Sequence, residues 1–399
     1  MPRRSAAASL ARLDAWIALL IMAAAALVPG VSPSAAVAGD PIGGERLAEP
    51  GVVVDLGAGA VLPPVNEAAA YVVADLQTGE VLASKSAHER HPPASTLKVL
   101  TALTLLPGLD KDQVVVGADE DVLVEGSKVG IAAGLSYDVD LLFKAMLVAS
   151  GNDAAQALAR TAGGVEQTVA GMNAVARELG AFDTQVINPS GLDEPGQLTS
   201  AYDLALIARA ALERQDFRTY VTTLTVDLPA RDGTSYQIQN GNRLLGSYDG
   251  LIGVKTGYTT LARHTYVGAA ERDGRRFVVT VLRTEDRAEV VAAALLDWAF
   301  LNADAVTPVG ELVLGPPVPV ISAVPEESGG PLQTPGQPPA AGDAVDAGAG
   351  GGLGALTTTA LVGVGLVGAV AALRIRAVRR DRLRREQLRG RSIRPGQGA

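Results

Sequence analysis

Between Pro92 and Leu106 the chain reads PPASTLKVLTALTLL, with apolar residues at Leu97, Leu100, Leu103 and Leu106. That spacing fills nearly the whole circumference of a helix, and a helix apolar all round is a buried one. Pro92 and Pro93 break whatever precedes it, so Ser95 falls at the helix start. Leu141, Leu142, Ala145, Met146 and Ala149 repeat at the same period, with Ser136 or Asp138 as caps, and this second helix stops at Ser150-Gly151. A third begins at once on Asn152-Asp153 and ends at Gly163-Gly164. Ser150 and Asn152 therefore sit on a tight turn between two helices, where side chains are held rigidly into a cleft.

Short apolar segments bounded by turn signals take over at both ends of the folded stretch. Residues 71–75 and 81–84 flank the turn Gln77-Thr78-Gly79, predicting a strand pair. Residues 251–256, 264–270 and 276–282 predict three more strands, the last two joined by the hairpin signal Asp273-Gly274. Residues 287–302 read as a closing helix with Trp298 on its apolar face. An antiparallel sheet of about five strands, with helices in the middle of the chain, follows from this order: an α/β (α+β) unit over residues 67–303 with a helical subdomain.

The flanks have other compositions. Arg3, Arg4 and Arg12 precede an apolar run at 15–28, broken by Pro29-Gly30 and followed by Ala36-Val37-Ala38, so residues 1–38 read as a secretory signal. Residues 39–66 are Gly, Pro and Ala without sustained period, read as a flexible leader, and 304–352 read as a Pro/Gly/Ala-rich linker. Residues 353–373 carry no charge and are long enough to cross a bilayer, and the arginines from Arg374 to Arg394 place the tail 374–399 on the cytoplasmic side. The catalytic part is then extracytoplasmic on a single-pass anchor.

Charge sharpens this. The net charge is −9, but the tail holds a surplus of eight positive charges and residues 1–38 a surplus of two. Removing both leaves −19 on the exported part, which argues against nucleic acid as a partner. There is no cysteine, which excludes disulfides and thiolate chemistry.

The chemistry concentrates in three places. Ser95 stands three residues before Lys98, on the same helix face, and Lys98 is the one lysine in the chain so placed after a serine. An amine in an apolar site has its charged form disfavoured, so near neutral pH it can take the serine's proton. Then come Ser150-Gly151-Asn152 and Lys255-Thr256-Gly257. A cation beside a hydroxyl, Lys255 with Thr256, suits the terminal carboxylate of a peptide, and Arg287 after the last strand is a second candidate. His88, His91 and His264 are read as structural, the first two as surface residues. No G-x-S-x-G elbow, H-E-x-x-H or other metal or cofactor signature occurs.

In this order the motifs resemble those of the serine D-alanyl-D-alanine carboxypeptidases, the low-molecular-weight penicillin-binding proteins of the β-lactamase/transpeptidase-like superfamily. The likeness extends over PASTLK, LLFKAMLVASGNDAAQALA, the turn NPSGL at 188–192, and GVKTGYT. It implies that Ser95 is acylated with Lys98 as base, that Ser150 relays a proton, and that Asn152 binds the substrate amide. It further implies that Lys255 and Thr256 hold the carboxylate, that Gly257 admits the substrate backbone, and that the amides of Ser95 and Tyr258 form the oxyanion hole. The implied substrate is a bacterial peptidoglycan stem peptide ending in D-Ala-D-Ala, with β-lactams as covalent inhibitors. Two alternatives stand beside it: a class A-like β-lactamase, with Glu194 as the deacylating residue, and a catalytically idle wall-binding scaffold of the same fold.

Overall fold

The computed structural model describes residues 42–313. The signal segment, most of the linker, the uncharged stretch at 353–373 and the basic tail lie outside the described residues. In chain order the strands and helices begin with β1 (Val52–Leu56), β2 (Ala70–Asp75), β3 (Glu80–Lys85) and α1 (Lys98–Leu105). Next come β4 (Val114–Val116), α2 (Asp119–Val122), β5 (Ser136–Asp138), α3 (Val139–Val148), α4 (Asn152–Thr161) and α5 (Val165–Glu178). Then follow α6 (Ala201–Leu212), α7 (Gln215–Thr222), β6 (Thr225–Pro229) and β7 (Ser235–Gln239). The last are β8 (Leu251–Thr259), β9 (Arg263–Arg272), β10 (Arg275–Thr284), α8 (Ala288–Asn302), β11 (Val306–Thr307) and β12 (Gly310–Glu311).

The main sheet is antiparallel, ordered β11-β1-β3-β2-β10-β9-β8, with β12 beside β3. Its strands face two cores because successive side chains point to opposite sides. Ala70, Val72 and Ala74 of β2 join Val278 and Leu282 of β10 in the large core with α1, α3, α4, α5, α6 and α7. Tyr71 and Val73 face the other way with Phe277, Val279 and Val281, against Leu295, Leu296 and Trp298 of α8. Burial on both faces explains why these strands read as apolar runs. Asp273 and Gly274 both take positive φ, 51° and 78°, which is the two-residue turn the Asp-Gly pair predicts between β9 and β10.

The sheet has eight strands rather than about five, and the extra ones come from the flanks. The leader is not flexible throughout. Val52–Leu56 pairs with β3 and β11, because a run of three valines between Gly51 and Gly57 satisfies the backbone of an otherwise open sheet side. Folded chain likewise continues past Ala303, where β11 and β12 close onto β1 and β3. Only short strands take part, with one buried side chain in each of β1 and β11 and none in β12, so neither flank shows a period in the sequence.

Two of the histidines are not surface residues. His91 is 5% exposed, its backbone paired with Thr199. His88 lies against the Tyr202 ring, with Nδ1 2.8 Å from Asp183 Oδ2 and Nε2 3.1 Å from the Ile42 carbonyl. Neither partner is near it in sequence.

Candidate active site

Ser95 and Lys98 are placed by a change of helix type. Ala94–Leu97 form a 3₁₀ turn, and the α-helix begins at Lys98. The Pro93 carbonyl accepts from Thr96 Oγ1 at 2.6 Å and from Thr265 Oγ1 of β9 at 3.0 Å, fastening the turn to the sheet. Lys98 is fully buried, and its Nζ donates to three acceptors: Ser95 Oγ at 3.0 Å, Asn152 Oδ1 at 2.6 Å and the Ser190 carbonyl at 2.6 Å. All three are neutral. Burial, reinforced by the nearby Lys255 charge and opposed by Asp153, holds the Lys98 amine well below the usual lysine range.

Asn152 and Asp153 open α4 and divide the work. Asn152 Nδ2 donates to the Glu125 carbonyl at 2.7 Å, while its oxygen faces Lys98. The buried Asp153 carboxylate accepts from the backbone N–H groups of Val129, Gly130, Ile131 and Ala154 at 2.8–3.0 Å. It thereby pins the loop that runs past Asn152 and lines the cavity. Ser150 stands in the turn before α4 with φ of 62°, a left-handed conformation that a non-glycine residue adopts only when its surroundings hold it there. Its hydroxyl makes no hydrogen bond to Lys98 or Ser95; the third acceptor on the amine is the Ser190 carbonyl.

The opposite wall is β8, an edge strand of the main sheet. Lys255 is 2% exposed, donates to the Thr256 carbonyl at 2.9 Å, and is drawn down to about 7 by burial. Gly257 needs its missing side chain: a Cβ there would stand 2.4 Å from Thr265 Oγ1 and 2.9 Å from the Ser95 nitrogen. The strand therefore lies directly on the nucleophile's own amide. Tyr258 follows, exposed and against the His264 ring. Between the walls lies a cavity of about 640 Å³ whose lining includes Gly126, Asn152, Ser190, Asp193 and Tyr258. Of the predicted site residues only Asn152 and Tyr258 line it; Ser95, Lys98, Ser150, Lys255, Thr256, Gly257 and Arg287 do not. Arg287 is exposed at the start of α8, in a separate groove with Pro64, Val65 and Val290. Glu194 is exposed on the cavity's rim.

Two contributors escaped the sequence reading. The Ser190 carbonyl is a backbone group and has no side-chain signature. Its signal was the turn itself, since Asn188 Oδ1 accepts from the nitrogens of Ser190, Gly191 and Leu192 and from Ser190 Oγ. Asp153 was read only as a helix starter.

A serine and a fully buried lysine on one turn, faced by an edge strand that carries a second buried lysine, define a serine hydrolase of the acyl-transfer kind. The sequence profile of the family described as D-alanyl-D-alanine carboxypeptidase matches residues 58–286, and the chain belongs to that family. It is 43% identical over 250 residues to D-alanyl-D-alanine carboxypeptidase DacB2 of Mycobacterium tuberculosis, across 61% of this chain and 86% of the relative. DacF of Bacillus subtilis, another D-alanyl-D-alanine carboxypeptidase, is 32% identical across 59% of this chain and 62% of its own length. Among solved structures, a D-alanyl-D-alanine carboxypeptidase of M. tuberculosis superposes with a TM-score of 0.61 at 41% identity, covering 64% of this chain and 99% of that one. The DD-transpeptidase of Streptomyces K15 gives 0.57 at 29% identity, covering 60% and 100%. These relatives do not favour the β-lactamase or scaffold alternatives.

Proposed function

We propose that the chain is a serine D-alanyl-D-alanine carboxypeptidase of the bacterial cell wall that removes the terminal D-alanine of stem peptides through an acyl-enzyme on Ser95. In its neutral form, reached by release of one proton, Lys98 Nζ takes the Ser95 proton as Oγ attacks the penultimate carbonyl, and the amides of Ser95 and Tyr258 receive the oxyanion. Each such donor contributes about 3 kcal/mol in the transition state. The leaving D-alanine nitrogen takes a proton passed from Lys98 through Ser150, and water then releases the acyl group with Lys98 again as base. Lys255 and Thr256 hold the terminal carboxylate, Gly257 lets the substrate backbone close on the strand, and Asn152 bonds the substrate amide by sharing the donor now on Glu125. No metal or cofactor enters these steps. β-Lactams acylate the same serine.

The observation that carries the reading is the Lys98 amine, buried among neutral acceptors 3.0 Å from the Ser95 hydroxyl. The reading also takes residues 1–38 as an export signal and 353–373 as a C-terminal membrane span with a cytoplasmic tail; among the described residues no helix is long and apolar enough to cross a membrane. The test is twofold: labelling by a fluorescent penicillin, and release of D-alanine from a peptide ending D-Ala-D-Ala. Ser95→Ala loses both signals, whereas a wild type with neither defeats the assignment.

A further inference from the structure

The loop that carries the Ser190 carbonyl is tied down on both sides. Gln197 Oε1 accepts from the Ile187 and Asn188 nitrogens at 3.0 and 2.8 Å, its Nε2 donates to the Leu192 carbonyl at 2.5 Å, and Asn188 Nδ2 donates to that same carbonyl at 3.0 Å. Gly191 meets the nucleophile's turn so closely that a Cβ would stand 1.9 Å from the Ala94 carbonyl oxygen. The next side chain to leave this rigid turn is Asp193, and it crosses to the other wall. Its Oδ1 accepts from Thr259 Oγ1 at 2.6 Å and its Oδ2 from the Leu261 nitrogen at 3.2 Å. Thr259 Oγ1 accepts in turn from the Ala262 nitrogen at 3.0 Å, so the whole turn between β8 and β9 hangs on this carboxylate.

We infer that Asp193 is a positioning residue for the reaction: it ties the loop holding Lys98 to the end of β8 and so sets the width of the cleft at Tyr258. The inference rests on the proposed carboxypeptidase reading. Tyr258 is the residue immediately before Thr259, and both line the cavity with Asp193. On one side of the tie stands the carbonyl that orients the Lys98 amine, and on the other the amide assigned to the oxyanion. A shift of the strand end moves the second relative to the first without touching either. The bond is made by a side chain with two acceptor oxygens in a fixed plane, so it fixes direction as well as distance.

The experiment measures kcat and KM for D-alanine release, and the rate of acylation by penicillin, in Asp193→Ala, Thr259→Val, Thr259→Ser and the double variant Asp193→Ala/Thr259→Val. Misplacement of a reacting group by about 1 Å costs up to 10²-fold. The expected result is a fall in kcat of roughly 10- to 100-fold in Asp193→Ala and a smaller fall in Thr259→Val, with KM moving less than about threefold. Thr259→Ser, which restores the donor, returns kcat to within about threefold of wild type, and the double variant is no worse than Asp193→Ala because the two act through one contact. Unchanged kcat in Asp193→Ala overturns the inference, as does a Thr259→Ser variant as slow as Thr259→Val. If Asp193→Ala fails to fold, the Thr259 pair decides alone. A wild type that is neither acylated nor hydrolytic overturns the functional reading and this inference together; an active wild type with insensitive variants overturns this inference only.

Discussion

Among the buried charged groups of the described residues, Lys98 and Asp203 stand in contrasting surroundings. Lys98 is surrounded by a hydroxyl, an amide oxygen and a backbone carbonyl, while the carboxylate whose charge opposes its depression, Asp153, spends its oxygens on four backbone N–H groups. Asp203, at the start of α6, is 1% exposed and accepts from Thr184 Oγ1 at 2.7 Å, with the His88–Asp183 pair beside it. Burial, then the Asp183 charge, pushes its carboxyl up to about 7. Burial works to lower His88, and the bonds to Asp183 and the Ile42 carbonyl outweigh it. In each centre burial is the largest cause disfavouring the charged form, lowering the Lys98 amine and raising the Asp203 carboxyl. They differ in access: a half-buried serine lies beside Lys98 and its partners Asn152 and Ser190 line a cavity, whereas the side chains around Asp203 hold neighbouring backbone, with His88 on Ile42 and Tyr202 Oη donating to the Glu311 carbonyl. Perturbed titration alone does not make a site; an adjoining nucleophile and an opening do.

The sharpest break of this contrast is Lys98→Met, which keeps the volume and removes the base. Penicillin acylation should fall by roughly 10²- to 10⁴-fold, the span of a lost general base, while thermal stability holds or rises because a desolvated amine has gone. An acylation rate within threefold of wild type would show that the serine's proton leaves by another route. Stopped-flow quenching of intrinsic fluorescence by a chromogenic cephalosporin measures it.

That much of the contrast could be read before any fold was known, and the reason is local. Ser95 and Lys98 share a helix turn, Ser150 and Asn152 share a helix–helix turn, and Lys255 to Tyr258 share a strand, so each group of chemistry-bearing residues is contiguous. The Asp273-Gly274 hairpin was legible for the same reason. What stayed hidden depends on partners far apart in sequence. The Ser190 carbonyl reaches Lys98 across 92 positions, and His88 reaches Asp183 across 95. β1, β11 and β12 are strands only because sheet neighbours accept them. Arg287 illustrates the converse: its position after the last strand suggested a carboxylate partner, yet it faces the groove against Val65 and Val290.

The Asp203 centre predicts a stability effect with a definite sign. Its carboxyl titrates near the ordinary 3.8 when unfolded and about 7 when folded, so between those values the native state holds a proton that the unfolded state has released. Its contribution is fully present below pH 4 and is lost as pH rises through about 7. Three units correspond to about 4 kcal/mol. Urea unfolding of Asp203→Asn, which imitates the protonated form, should therefore lose this falling limb, leaving a smaller decline of the same sign from His88. Parallel pH profiles for wild type and variant would mean that Asp203 is ionised in the native state.

The smallest effect separates the two lysines of the cleft itself. Lys255 has the opposite linkage to Asp203: it is held at about 7 against an ordinary 10.5, so the free enzyme loses this cation as pH rises through 7. A substrate with a terminal carboxylate needs that charge, whereas the same peptide capped as an amide does not, and both depend equally on Lys98. The ratio of kcat/KM for acid over amide, which reports groups of the free enzyme, should be constant below about pH 6 and fall with a midpoint near 7. By pH 8 the fall should be roughly tenfold, and Lys255→Met should hold the ratio low at every pH. Because Lys98 cancels from the ratio, a flat profile between pH 6 and 9 would remove Lys255 from carboxylate recognition and leave the Thr256 hydroxyl to hold the substrate's end.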